Sequence, residues 1–63
     1  MKKYFAVWEV YSNDWKLVEK GYHFFFVESV EDLLIEMDNF CDASAESRGL
    51  DSINFTISSC QPV

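Results

Sequence analysis

Residues 22–41 read YHFFFVESVEDLLIEMDNFC, and the change of rhythm inside this stretch decides the fold. Tyr22 to Val27 is an aromatic and β-branched run, the signature of a strand. Ser29 then stands as a helix N-cap, with Asp32 three residues later in an arrangement like a capping box. From there Val30, Leu33, Leu34, Met37, Phe40 and Cys41 recur at i, i+3, i+4, i+7, i+10 and i+11, the apolar stripe of an amphipathic helix. Ala45 continues the stripe. Arg48 suits the negative end of the helix dipole, and Gly49 suits the left-handed position that closes a helix. A helix is expected from about residue 30 to about 48, with Asp42 as its weakest point.

Working outward, Tyr4 to Tyr11 (YFAVWEVY) reads as a first strand, Ser12-Asn13-Asp14 as a turn, and Trp15 to Lys20 (WKLVEK) as a second strand paired with the first. Gly21 leaves two solutions. Either the second strand continues through a bulge there into Tyr22–Val27, or a tight turn at Gly21 begins a third strand. The single bulged strand is preferred. Downstream, Ile53 to Ser59 (INFTISS) alternates with Ile53, Phe55 and Ile57 inward, and Pro62 is expected to end pairing. The order β-β-(β)-α-β predicts an α+β fold: a small, largely antiparallel sheet of three to four strands with one helix packed on one face. Residues 1–63 read as a single domain.

A chain of 63 residues buries only about 60% of its unfolded surface, so its stability is marginal. Apolar residues make up 49%, too many for compositional disorder. The net charge of −6 argues against direct binding to nucleic acid or to an anionic membrane, since both need Lys and Arg. No apolar run reaches the roughly 20 residues of a membrane span, and Glu9 and Asp14 interrupt anything resembling a signal peptide. A cytoplasmic location is expected, with Cys41 and Cys60 as free thiols.

Two cysteines and the single His23, far apart in sequence, do not make a zinc site of about four ligands. A hydrolytic triad would need His23 as its base, and His23 sits in an aromatic strand. No EF-hand loop occurs, and two glycines cannot build a phosphate cradle. No metal, cofactor or enzymatic activity is expected.

What remains is surface character. Between Gly21 and Ser47 there are seven carboxylates, Glu28, Glu31, Asp32, Glu36, Asp38, Asp42 and Glu46, and no Lys or Arg. The pairs Glu28–Asp32, Asp32–Glu36, Asp38–Asp42 and Asp42–Glu46 are like charges four apart, together costing roughly 1 kcal/mol on a helix. The plain reading is a solvated face kept for solubility. The functional reading is an anionic row that enters a groove lined with Lys and Arg, with Ile35 as an apolar anchor in its middle. The sheet poses a second question, because only one of its two apolar faces can lie under one helix. Loops and the tail cover the other, or it is an exposed aromatic interface in which Trp8, Tyr11 and Trp15 are the candidate anchors.

The segments Lys2-Lys3-Tyr4-Phe5-Ala6, Phe26-Val27-Glu28-Ser29-Val30-Glu31-Asp32-Leu33 and Ile53-Asn54-Phe55-Thr56-Ile57, followed by Cys60 and Pro62, occur in an order similar to that of the RNA-polymerase inhibitors of short-tailed coliphages. That family resembles this chain in size and in its β-β-α-β plan. Its last strand carries arginines used in binding. The matching stretch here has Asn54, Thr56 and Ser58 instead, so the target is not carried over. By character the chain also resembles the short acidic anti-CRISPR and anti-restriction proteins that imitate DNA. These resemblances imply a phage-encoded, non-enzymatic inhibitor that occupies the nucleic-acid-binding surface of a basic host defence or transcription protein. The alternatives are a homodimeric structural or regulatory domain joined by the aromatic sheet face, and an antitoxin or immunity protein covering a basic nuclease.

Overall fold

The computed structural model describes all 63 residues. Strands β1 (Lys2–Tyr11), β2 (Leu17–Val27) and β3 (Phe55–Pro62) form one antiparallel sheet in the order β2-β1-β3. Helix α1 (Val30–Ser47) packs on one face, and a 3₁₀ turn over Ser52–Asn54 leads into β3. The chain therefore has the expected small α+β fold.

Alternation sorts the side chains. Tyr4, Ala6, Trp8 and Val10 of β1 point to the helix side with His23, Phe25 and Val27 of β2 and Phe55, Ile57 and Cys60 of β3. Two apolar clusters result. Ala6, Phe25, Val27 and Leu33 form the first, with Met37 and Phe40 against it; Val10, Ala45 and Phe55 form the second, with Trp8, Cys41 and Leu50 against it. Phe40 bridges them, edge-on to both Phe25 and Phe55 at 5.5 Å.

The helix ends are closed as their residues dictate. The Asp32 N–H donates to Ser29 Oγ at 3.2 Å. At the other end Gly49 has φ +70°, its N–H donates to the Glu46 carbonyl, and the Leu50 N–H donates to the Ala45 carbonyl. This is a Schellman closure, sealed by Leu50 against the cluster that holds Ala45. The helix is unbroken at Asp42.

Several expectations are corrected. The second strand begins at Leu17, because Trp15 adopts φ +63° in the hairpin loop. The Trp15 N–H donates to the Ser12 carbonyl, and the Ser12 N–H donates to the Lys16 carbonyl. That pattern is a tight turn followed by a left-handed residue, a place glycine usually fills. Gly21 is neither a bulge nor a turn. It pairs directly with Trp8, and the register shift on this side falls between Val10 and Tyr11. A Cβ at Gly21 would come within 2.7 Å of Cε2 of the Trp8 indole, so the glycine leaves room for that ring. The 3₁₀ turn inverts the start of the last strand: Ile53 is exposed, while Asn54 is buried and donates from Nδ2 to the Tyr11 carbonyl at 2.9 Å. Pro62 does not end pairing. It stands opposite Tyr4 at the end of an edge strand, where a missing N–H is tolerated, and the Val63 N–H still donates to the Lys3 carbonyl. Ser58 is the extra residue of a bulge between Ile57 and Ser59, and its hydroxyl donates to the Val7 carbonyl at 3.2 Å.

Candidate functional site

The molecule has no cavity and no group of three or more His, Cys, Asp or Glu placed to hold a metal ion. No helix is long and apolar enough to cross a membrane. Its chemistry lies on two exposed surfaces on opposite sides of the sheet.

The first is the outer side of α1. Glu31, Asp32, Glu36, Asp38, Asp42 and Glu46 are all exposed, and none makes an ion pair. Glu28, just before the helix, meets only the N-terminal ammonium at 4.0 Å. Three of the five Lys and Arg residues pair with carboxylates elsewhere: Lys16 with Asp14, Lys20 with Glu9 and Arg48 with Glu19. At 100° per residue Glu31, Ile35, Asp38, Asp42 and Glu46 form a row along one side of the helix, with Asp32 and Glu36 on the other side of its outer surface. Ile35 is exposed as expected. Val30 and Leu34 were expected in the buried stripe and are more than half exposed. Leu50 and Phe55 cover that flank in the C-terminal half, beside Cys41 and Ala45, but not in the N-terminal half. The acidic row thus has Val30 and Leu34 exposed along one flank of its N-terminal half and Ile35 within it, a feature hidden from a stripe count because helical spacing cannot say how wide a sheet lies beneath.

The second surface is the helix-free face of the sheet. Phe5, Val7, Glu9 and Tyr11 of β1 lie beside Phe26, Phe24, Tyr22 and Lys20 of β2 on this side. Phe5, Tyr22 and Phe24 form an aromatic triangle with centroid separations of 5.3–5.9 Å. Lys3 Nζ lies 4.5 Å from the centroid of Phe24 and 5.8 Å from that of Phe26. The part contributed by β3 is polar: Thr56, Ser59 and Gln61. Neither loop nor tail covers the aromatic part, and Tyr22 and Phe26 remain 66% and 59% exposed.

Of the three anchors expected here, two are on this side. Tyr11 donates its hydroxyl to Glu9 Oε1 at 3.0 Å, which raises the Tyr11 pKa above its ordinary value. Trp15 is exposed at the hairpin tip, 6.4 Å from the Tyr11 ring. Trp8 is the exception. Strand alternation turns it to the helix side, where it stacks on Phe55 at 5.2 Å beneath the Arg48 guanidinium at 5.3 Å. Arg48 is clamped in turn: Nε and Nη2 donate to the Glu19 carboxylate at 3.0 and 2.8 Å, and Nη1 donates to the Ser44 carbonyl at 2.9 Å. The hydrogen bonds from Arg48 hold the Glu19 carboxyl below its ordinary pKa. Trp8 therefore supports the fold. The aromatics that form the open surface are Phe5, Tyr22, Phe24 and Phe26, whose side follows from counting in twos from Trp8 once its side is known.

His23 stacks on Phe40 at 4.3 Å, at the β2 edge of the sheet. Cys41 and Cys60 are free thiols, half-buried, and burial raises the pKa of each; for Cys41, Asp38 and Asp42 add to the shift. Neither has the electropositive surroundings that make a reactive thiolate.

No protein-family model, no curated protein and no solved structure matches this chain.

Proposed function

We propose that this chain is a non-enzymatic protein inhibitor whose acidic helix occupies a basic, nucleic-acid-binding groove on a host defence or transcription protein. The mode is that of a phage-encoded, anti-CRISPR-like DNA mimic acting in the host cytoplasm. It binds protein, not nucleic acid. The observation that carries this reading is the segregation of charge: six exposed helix carboxylates have no cationic partner, while Lys16, Lys20 and Arg48 pair with carboxylates off the helix.

The charge density sets the kind of groove. From Glu31 to Glu46 the six carboxylates, counted over both sides of the outer surface, span about 23 Å of helix axis, about one charge per 4.5 Å, against 3.4 Å per charge along one strand of B-DNA and 1.7 Å along the duplex. The helix is a passable substitute for one strand and a poor one for a duplex. Val30, Leu34 and Ile35 supply apolar contact along the N-terminal half of the row, where nucleic acid would offer bases to stack. Association is steered by charge, and therefore fast and weakened by salt.

The test is competition. Purified protein is titrated into complexes of labelled single-stranded DNA with bacterial RNA polymerase and with CRISPR effector complexes, at low and raised salt. Displacement of DNA from at least one of them is expected. The combined substitution Glu31→Gln, Asp32→Asn, Glu36→Gln and Asp38→Asn is expected to weaken it by at least about tenfold while leaving the fold intact, since like-charge repulsion is relieved. Equal displacement by the amide variant would sink the reading.

A further inference from the structure

We propose that the helix-free face of the sheet is a homodimer interface. Two copies meet face to face through Phe5, Tyr22, Phe24 and Phe26, with their acidic helices on the outside. This goes beyond the inhibitory reading and does not depend on it.

Charge selects a second copy as the occupant. The chain carries −6 overall. The open face holds Lys3, Lys20 and Glu9, a net +1, so the remainder of the molecule carries −7. Two copies approaching through any helix side meet strong repulsion. Through this face each presents a net charge of only +1, so repulsion is weakest there. Stacked sheets lie about 10 Å apart with the helices beyond them, so the acidic rows end more than 20 Å from each other, over two Debye lengths at physiological salt.

The surface also suits a two-fold contact along the strand. Lys3 and Glu9 stand near opposite ends of β1 on the same side, about 20 Å apart. A two-fold axis lying between the sheets, across the middle of β1, carries Lys3 of one copy towards the Glu9–Lys20 pair of the other and sets Phe5 against Val7. It keeps the strands of the two sheets aligned, as sandwich packing requires. Such a contact is isologous, the commonest kind in homodimers.

Area sets its strength. β1 and β2 have 10 and 11 residues. With β3 the face measures roughly 33 Å by 14 Å, and two of them bury about 900 Å², just under the roughly 1,000 Å² of a specific interface. A reversible, concentration-dependent dimer is therefore expected, not an obligate one.

Sedimentation equilibrium on the full chain tests this, from about 10 μM to about 1 mM, under reducing conditions that keep Cys41 and Cys60 as thiols. A monomer–dimer equilibrium that persists at raised salt is expected. Tyr22→Glu and, separately, Phe24→Glu are each expected to raise the dissociation constant at least about 30-fold, with the helical circular dichroism retained. Lys3→Glu, which puts a carboxylate beside Phe24 and Phe26, should weaken the dimer. The helix amide variant should dimerise as well as the parent chain. A wild-type chain that stays monomeric at the highest concentration overturns the proposal without any variant. So does a dimer that the folded Tyr22→Glu chain forms undiminished, since the contact is then elsewhere.

Discussion

Phe24 and Phe25 are neighbours on β2, and they live in different worlds. Phe25 is buried, edge-on to Phe40 and within the cluster of Ala6, Val27 and Leu33. Phe24 lies on the open face among Phe5, Tyr22 and the Lys3 side chain, with no second layer above it. The two faces of the sheet have similar aromatic content, but a helix covers only one. Composition alone does not distinguish a core from a surface; the layer on top does. The covered face holds the chain folded, and the open one is available for contact.

The sharpest way to break this contrast is to truncate both phenylalanines. Phe25→Ala is expected to cost about 3–5 kcal/mol. A domain of this size has about 3–9 kcal/mol in total, so the variant should lose at least about a third of its stability, read as a large fall in its melting temperature by circular dichroism. Phe24→Ala should cost less, about 1–2 kcal/mol, because its ring is only partly buried, against Phe5, Tyr22 and the Lys3 side chain. Similar losses for both would mean that the open face contributes to the fold as a core does.

Much of this contrast was legible in the sequence. The switch from a period of two to a period of 3.6 at Ser29 placed the strand, the cap and the helix, and the structure keeps them. Alternation in β1 already divided Phe5, Val7, Glu9 and Tyr11 from Tyr4, Ala6, Trp8 and Val10. It does not say which set the helix chooses, but it does put Trp8 and Tyr11 on opposite sides, so the two cannot both be anchors of one face. Ala6 carries the missing signal: a small side chain amid aromatics lets a helix approach closely. Ile53 and Asn54 exchanged roles because a 3₁₀ turn has no period of two. That turn depends on the Asn54 amide reaching the Tyr11 carbonyl 43 residues earlier, which no local pattern encodes. The acidic row was fully legible, since its exposure follows from charge; its apolar flank at Val30 and Leu34 was not.

Gly21 offers a finer test of the covered face. If the glycine is there to admit the Trp8 ring, Gly21→Ala should displace an indole packed on Phe55, with the Arg48 guanidinium over both rings, and cost about 1–3 kcal/mol, as overpacking does. The melting temperature should fall by about 4–8 °C per kcal/mol. In a Trp8→Leu background the same change should cost little or even stabilise, because alanine suits a strand better than glycine. An equal penalty in both backgrounds would mean that Gly21 serves backbone conformation and not the ring.

The smallest effect is expected at the hairpin tip, where neither face exerts a hold. Trp15 keeps φ +63° and 58% exposure, with Tyr11 as its ring neighbour at 6.4 Å. A left-handed conformation costs a non-glycine residue about 1–2 kcal/mol. Glycine would remove that strain and lose about 0.5–1 kcal/mol to unfolded-state entropy, and the Tyr11 contact would go with the ring. Trp15→Gly is therefore expected to leave the melting temperature unchanged or to raise it by a few degrees. A fall corresponding to more than about 1 kcal/mol would show that the exposed Trp15–Tyr11 pair holds the hairpin together, and would extend the stabilising role of the covered face onto the open one. A neutral or positive result leaves Trp15 as a strained, exposed indole with no role in stability, at the end of the surface where contact with another molecule is proposed.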